Sequence, residues 1–469
     1  MKTLYIKIKE LKITFKVLFI LGISSLFLGC EDFVTIDPPQ GELISETIFS
    51  NETTTLSAIT AVYNNMVGPS QPFIYSSANL EKYSGLASDE LKNNSINVGV
   101  IEIEENNISI ENLESFSIWS ENYKLIALVN PIIEGLRNNN ALPIDFRNQI
   151  LGEALFFRAF FHFNLVNIFG DIPYANISDV ATLNKLSRMP TPEVYQNIIA
   201  DLLEAKSLMV EDYSHAGGKR VRANKFVAMA LLARTYLYTE DWQNAAQEAS
   251  LIIQNTNYQL GFGVENLFLA GSNSAILQIA QQEGTGGYAN TFVIRSIADA
   301  EQRYPISDNL LNAFEPGDER FVHWVGKKGI YYFPHKYKKV PYQSSTQNLP
   351  SEEFALFRLA EQFLIRAEAR AQQGDISGAQ TDLNRIRNRA FLRNTSASTT
   401  PDILAAIAQE KRIEFFVEGG HRWFDLKRTG KANDVMSPLK SDWQATDVLF
   451  PVPVQEILNN SNLSQNPGY

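Results

Sequence analysis

Nine segments of the chain repeat apolar residues at three- and four-residue intervals, a spacing that only the α-helix turns into one buried face. They run Phe49 to Met66, Leu113 to Leu136, Phe146 to Phe169, Val194 to Met209 and Ala223 to Tyr238. The rest are Trp242 to Gln254, Phe354 to Ala371, Ile376 to Ala390 and Ile403 to Val417. The expected fold is therefore mainly α. Two stretches break the pattern, roughly Gly68 to Asn112 and Tyr258 to Pro350. They are rich in Gly, Pro, Asn and aromatics, with short Val/Ile/Tyr/Phe runs suited to small hairpins, and are expected to be non-helical. Loops that long in a compact protein commonly carry function.

Two helix pairs look like copies of one unit. Ala233 is followed by Tyr236, Asp241 and Ala245; Ala367 is followed by Arg370, Asp375 and Ala379. Small residues twelve apart across a tight turn let two antiparallel helices approach closely, as in a tetratricopeptide-type unit. With the flanking helices this predicts a repeat scaffold of about four helix pairs. An irregular α bundle with coincidental spacing is the alternative.

The N-terminus reads differently. Lys2, Lys7, Lys9, Lys12 and Lys16 precede an uncharged apolar run from Val17 to Leu28, then Gly29 and Cys30, the only cysteine. A basic leader, a short apolar core and a small residue predict a secretory signal over 1–29, too short to span comfortably. Lipidation of Cys30 is the expected outcome, with 30–45 as a proline-interrupted tether. A buried free thiol is the bland reading of the same cysteine.

Composition removes functions more readily than it assigns one. One cysteine excludes an intramolecular disulfide framework, and a net charge of −11 makes nucleic acid an unlikely partner. The five histidines (His162, His215, His323, His335 and His421) form no metal-binding spacing. No Gly-x-Ser-x-Gly elbow occurs; Gly261-Phe-Gly263 lacks the third glycine of a dinucleotide fingerprint; Gly284-Thr-Gly286-Gly287 lacks the Lys of a phosphate loop. Neither an enzyme nor a metal or cofactor site is expected.

The string Glu410 to Gly430 is the most distinctive. Glu410 and Glu414 share a helical face; Gly419 and Gly420 are expected to end that helix, with Arg422, Asp425 and Arg428 on a second short one. With Arg412, Glu418 and Trp423, this predicts a partly buried ion-pair latch rather than a ligand site.

These strings together resemble the SusD/RagB family of outer-membrane nutrient-binding lipoproteins. The resemblance is carried by Cys30 with Glu-Asp-Phe, Ala61-Val-Tyr63, Ser88-Asp89-Glu90, Trp119-x-x-x-Tyr123 with Asn130, and Gly152 to Arg158. It continues through Phe169-Gly-Asp171-Ile-Pro173, Leu231-Leu-Ala-Arg234, Ile365-Arg366-Ala-Glu368 and Asp382 to Arg389. The 410–430 string, Leu449 to Pro453 and Gln465 to Tyr469 close it. The resemblance implies a four-repeat tetratricopeptide scaffold with a loop-rich ligand face. It implies one domain over 46–469, with an N-terminal part to about 215 and a C-terminal part from about 216. It also implies a surface lipoprotein on the outer membrane of a Gram-negative bacterium, acting as lid of a SusC-like, TonB-dependent β-barrel transporter. An oligosaccharide is the expected ligand; peptides in the same role, or a helical scaffold recruiting proteins, are the alternatives.

A glycan site needs aromatics for apolar C–H faces and fixed polar groups for hydroxyls. The first loop offers Phe73, Tyr75, Tyr83, Asp89 and Asn93; the second offers Tyr288, Arg303, Trp324, Tyr331, Tyr332 and Tyr337. Trp324, in a Gly-flanked charged segment with lysines interleaved beyond it, is the first choice for stacking. A packed aromatic under the loop is its structural alternative, and a helix or turn cap is that of Asp89.

Overall fold

The computed structural model describes residues from 45 onward, except 68–74, 76–77, 281–286, 341–342, 344–345 and 347. The leader, Cys30, the tether and Phe73 lie outside the described residues.

Among the described residues the fold is mainly helical. The helices that build the scaffold or the loop face are α1 (Glu52–Val67), α2 (Asn79–Ala87), α3 (Val98–Glu105), α4 (Leu113–Arg137), α5 (Ile144–Phe169), α6 (Thr191–Leu208), α7 (Lys225–Tyr238) and α8 (Trp242–Gln254). After them come α9 (Glu319–Trp324), α10 (Leu359–Gln372), α11 (Ile376–Arg389), α12 (Thr400–Glu414) and α13 (His421–Arg428). Successive long helices pack in sequence: α4 on α5, α5 on α6, α6 on α7, α7 on α8, α8 on α10, α10 on α11, and both of these on α12. That is the one-dimensional stacking a helical repeat requires. Helix α5 is buried on every side from Gln149 to Phe169 and serves as the spine, with its buried Glu153 and Arg158 paired to Arg222 and Asp201.

The two copied units coincide down to the turn. Asp241 and Asp375 cap α8 and α11 with the same backbone angles (φ −81°, ψ 72°), each accepting a hydrogen bond from the amide three residues on. Ala233, Ala245, Ala367 and Ala379 are fully buried where the helices approach. The residue before each cap is left-handed: Glu240 at φ 59° in the first unit, Gly374 at φ 83° in the second. Only the second copy holds the residue that adopts this conformation without strain.

Among the described residues two small antiparallel sheets interrupt the helices. β1 (Ala275–Ile279) pairs with β4 (Phe354–Arg358), and β2 (Val325–Lys328) pairs with β3 (Tyr331–Pro334) across the turn Gly329-Ile330. Helical periodicity had assigned Phe354 to Arg358 to a helix. The structure corrects this, because pairing with β1 buries Phe354 and Phe357 before the helix starts at Leu359. The first long loop is likewise not wholly irregular: α2 and α3 lie within it, α3 capped by the Asn97 side chain. Helix α12 stops at Glu414 rather than at Val417, and Gly420 is the N-cap residue of α13 rather than a C-cap of α12.

Beyond the apolar core, a buried ion cluster joins the C-terminal elements. Glu414, fully buried, accepts hydrogen bonds from Arg320 of α9 (3.1 Å), Arg358 at the end of β4 (2.7 Å) and Arg389 of α11. Glu410 takes Arg320 (2.6 Å) and Arg387 (3.2 Å); Glu418 takes Arg358 (2.9 Å) and Lys336. Burial alone would raise the Glu414 carboxyl, but Arg389, Arg358 and Arg320 outweigh it and hold it well below the usual range.

Two outcomes follow for stability. Glu240→Gly should raise it by up to about 1 kcal/mol and Gly374→Ala should lower it by about 1 kcal/mol or more, read by chemical denaturation. Glu414→Ala, which strands the buried Arg389 and removes one carboxylate each from Arg320 and Arg358, should cost about 3–5 kcal/mol by the same measurement.

Candidate ligand-binding face

The two long loops meet. Leu91 bridges Ile306 in antiparallel fashion; the Lys92 amide donates to Pro305 O (2.8 Å) and the Asn94 amide to Arg303 O (3.0 Å). The Ile306 amide in turn donates to Tyr332 O in β3 (2.8 Å). A single ribbon of backbone bonds thus brings Asn93, Arg303, Tyr331 and Tyr332, all predicted site residues, to one junction.

Each side chain there is fixed locally. Asn93 Oδ1 accepts from the Ser95 amide (2.9 Å) and hydroxyl (2.7 Å), shaping the turn that leaves Ile96 and Asn97 exposed. Arg303 Nε donates to Asp299 (3.0 Å). Lys327 Nζ donates to the Tyr332 hydroxyl (2.8 Å) and lies 4.6 Å from its ring centre. Tyr304, which the sequence reading missed, is half-buried beside Tyr83, and Lys82 approaches both rings. Its signal was weak: one tyrosine before a proline, in a loop with many aromatics.

Beside the junction opens a polar cleft of about 620 Å³, between the end of α2, α3, residues 307–312 and residues 439–442. Asp89 is at its wall, with Lys92, Glu104, Asp308, Asn309, Asn312 and Asp442 also lining it. Lys92 and Asp308 form an exposed pair at 2.6 Å. Lys440 closes one end, its amine donating to Leu86 O (3.0 Å) and Ala87 O (2.8 Å), and burial pushes its pKa down to about 7. Amides, carboxylates and an ammonium group around open volume suit a ligand dense in hydroxyl or charged groups.

Five other predicted ligand aromatics lie elsewhere. Trp324, 1% exposed, is packed against Phe268, with its indole N–H donating to Val264 O (2.9 Å). Tyr75, Tyr83, Tyr288 and Tyr337 are also buried: Tyr75 donates to Asn122, Tyr83 to Glu114 and Tyr288 to Val417 O, while the Tyr337 hydroxyl accepts from the Ala355 amide. The stacking role assigned to them is therefore corrected to core packing. Lys336, interleaved among them, is buried as well, donating to Glu414 O and Phe416 O. Irregular spacing marked these residues as outside a helix, but a non-helical segment can supply core as readily as surface.

Asp89, at the cleft wall, is not a helix cap. Its carboxylate holds Arg412 (2.6 Å) and Arg422 (2.7 and 3.0 Å), which offset its burial and keep it below the usual carboxylate range. The predicted latch residues thus pair outward: Arg412 and Arg422 with Asp89, Glu410, Glu414 and Glu418 with α9, β3–β4 and α11 residues. Asp425 and Arg428 do pair with each other (2.6 Å), and Arg428 reaches Glu368. Trp423, on α13, is buried. Among the described residues, no group of three or more His, Cys, Asp or Glu could hold a metal ion.

Two neighbouring acids anchor the turn between α12 and α13. Glu90 accepts from the Val417 amide (3.1 Å) and Glu81 from that of Gly419 (3.3 Å), both residues at positive φ. Each carboxyl keeps one buried oxygen without a hydrogen-bond partner, and burial raises both pKa values to about 8.

Comparison with known proteins places this geometry. A model described as the SusD family matches residues 324–469, and one described as "starch-binding associating with outer membrane" matches 45–237. SusD-like protein P2 of Formosa agariphila is 29% identical over 529 aligned positions, covering 98% of this chain and all of that protein. The starch-binding protein SusD of Bacteroides thetaiotaomicron is 37% identical over 131 residues, 26% of this chain and 22% of its own. Among solved structures, a SusD superfamily protein from Bacteroides vulgatus superposes with a TM-score of 0.78 at 20% identity, covering 90% of this chain and all of that one. A laminarin-binding SusD-like protein gives 0.75 at 24%, covering 89% and 100%. The fold is that of the SusD superfamily, with its tetratricopeptide-like helical repeats. The chain belongs to the SusD/RagB family, a carbohydrate-binding, outer-membrane-associated family.

The buried aromatics and acids generate two expectations. Trp324→Ala should lower folding stability by about 3–5 kcal/mol, measured by denaturant titration. Glu81 and Glu90 carry raised pKa values in the folded state, so their contribution is full at acid pH and fades as pH rises from about 4.5 to 8. The Glu81→Gln, Glu90→Gln double variant should therefore melt above the parent at pH 8.5 and lose that advantage at pH 4.5.

Proposed function

We propose that this protein is a surface binding protein, not an enzyme. It captures an oligosaccharide at the junction of its two long loops and delivers it to a SusC-like, TonB-dependent β-barrel transporter, as its lid. The observation that carries this reading is the loop junction itself, where half-buried Tyr304, Tyr331 and Tyr332 stand on the same backbone ribbon as Leu91, Lys92 and Ser307, which line the amide- and carboxylate-bearing cleft. Half-buried rings are held rigidly yet keep part of their surface for a sugar. The starch-binding description of a matching family model and the laminarin-binding relative support a glycan. Lipidation at Cys30, on the outer membrane facing outward, completes the proposal; it rests on the basic-then-apolar leader before a lone cysteine.

One observation favours a peptide in the same role. With five aromatics withdrawn into the core, the cleft is more charged than aromatic, and Lys92, Glu104, Asp308 and Asp442 would suit peptide termini and side chains. Calorimetric titration of the purified chain against laminari- and malto-oligosaccharides, and against short peptides, separates the two.

Tyr332→Ala and Tyr304→Ala should each weaken oligosaccharide binding at least tenfold, about 1.4 kcal/mol or more, with helical circular dichroism unchanged. Unaltered affinity in both would move the site away from the junction. Cys30→Ala should shift the protein from the membrane fraction to the soluble one; equal membrane yield would refute the anchor.

A further inference from the structure

The C-terminal helices enclose a second cavity, of about 530 Å³, that shares no aromatic with the loop junction. That volume falls within the roughly 300–1,000 Å³ of small-molecule sites. One wall is a face of α12, where Pro401, Leu404, Ala405 and Ala408 follow helical spacing toward open space while Ile403 and Ile407 are buried behind them. Leu426 and Val435 form the opposite wall. No Trp, Tyr or Phe lines it, so it offers no platform for a sugar ring. An aliphatic or compact aryl body fits the walls.

The lining is also charged, and the charge is unbalanced. Lys411, Arg412, Arg422, Arg428 and Lys431 contribute five cations, against the carboxylates of Glu368 and Asp425. Glu368 takes Lys411 (2.6 Å) and both terminal nitrogens of Arg428 (2.7 and 2.8 Å). Asp425 takes Arg428 Nε (2.6 Å) and stands 3.8 Å from Lys411. Arg412 and Arg422 share Asp89. Even with Asp89 and the Lys431 partner Asp434 (3.5 Å) included, five cations meet four acids, in a chain whose net charge is −11. The buried Nε of Arg412 has no hydrogen-bond partner. An excess of positive charge in an apolar-walled cavity of an acidic protein selects for a negative ligand.

We propose that this cavity is a binding site for an organic anion, a carboxylate carried on an aliphatic or aryl body. The carboxylate occupies the Lys411–Arg412 end and the apolar body lies along Leu404 to Ala408. The seven helical steps from Leu404 to Lys411 rise about 10 Å, the reach of an extended eight-carbon acid. The site is separate from the glycan reading and does not depend on it.

The test uses sodium octanoate as probe and octanamide as its neutral isostere, titrated calorimetrically into the full folded chain, with saturation-transfer NMR as a second readout. Octanoate should bind saturably, and octanamide at least tenfold more weakly. Ala408→Trp fills the trough from an exposed position and should weaken octanoate binding at least tenfold; Ala405→Phe serves if the first variant melts lower than the parent. Equal affinity for acid and amide, unchanged affinity in the filled variant, or no saturable octanoate binding would each overturn the proposal. Oligosaccharide binding at the loop junction should be the same in Ala408→Trp, so failure of one site is distinguishable from failure of the other.

Discussion

The Glu414 carboxylate is the interaction on which the C-terminal architecture depends. It gathers Arg320, Arg358 and Arg389 from a loop helix, a strand end and a repeat helix. Without it Arg389 would be buried with no carboxylate partner and would face Arg320 and Arg358 in a low-dielectric interior. Its neighbours Glu410 and Glu418 extend the same logic to Arg387 and Lys336. Asp89 repeats it at the other end of the string, tying the first long loop to Arg412 and Arg422. The two long loops are therefore fixed to the repeat scaffold by charge as well as by the apolar core they share with it.

The scaffold was legible in the sequence because helices repeat their burial every three or four residues. Small residues twelve apart located both repeat turns, down to identical caps at Asp241 and Asp375. Strand β4 was not legible: Phe354 to Arg358 is short, and its burial depends on β1, nearly eighty residues earlier. The charged string announced ion pairs but not their partners. Sequence proximity suggested pairing within the string, whereas Asp89 and Arg320 are brought to it only by the tertiary fold.

The ligand face was half legible for a related reason. Composition located the two long loops, and the structure joins them through Lys92, Asn94 and Ile306. It could not sort the aromatics between surface and core, because loop segments lack the periodicity that separates inside from outside in a helix. Trp324 satisfies its indole N–H on Val264 O and belongs to the core, while Tyr304, one tyrosine among many, stands at the junction. The consequence is a face with fewer exposed rings and more charge than composition suggested, which narrows the stacking surface to Tyr304, Tyr331 and Tyr332.

Hydrogen–deuterium exchange across a panel of neutral and acidic oligosaccharides tests the central claim most directly, because it reports the site without altering it. The account predicts that a binding oligosaccharide slows exchange in residues 91–97, 300–312 and 327–332 together, and leaves α10 to α12 unchanged. Protection confined to the repeat helices, or binding with no protection in those three segments, would contradict it.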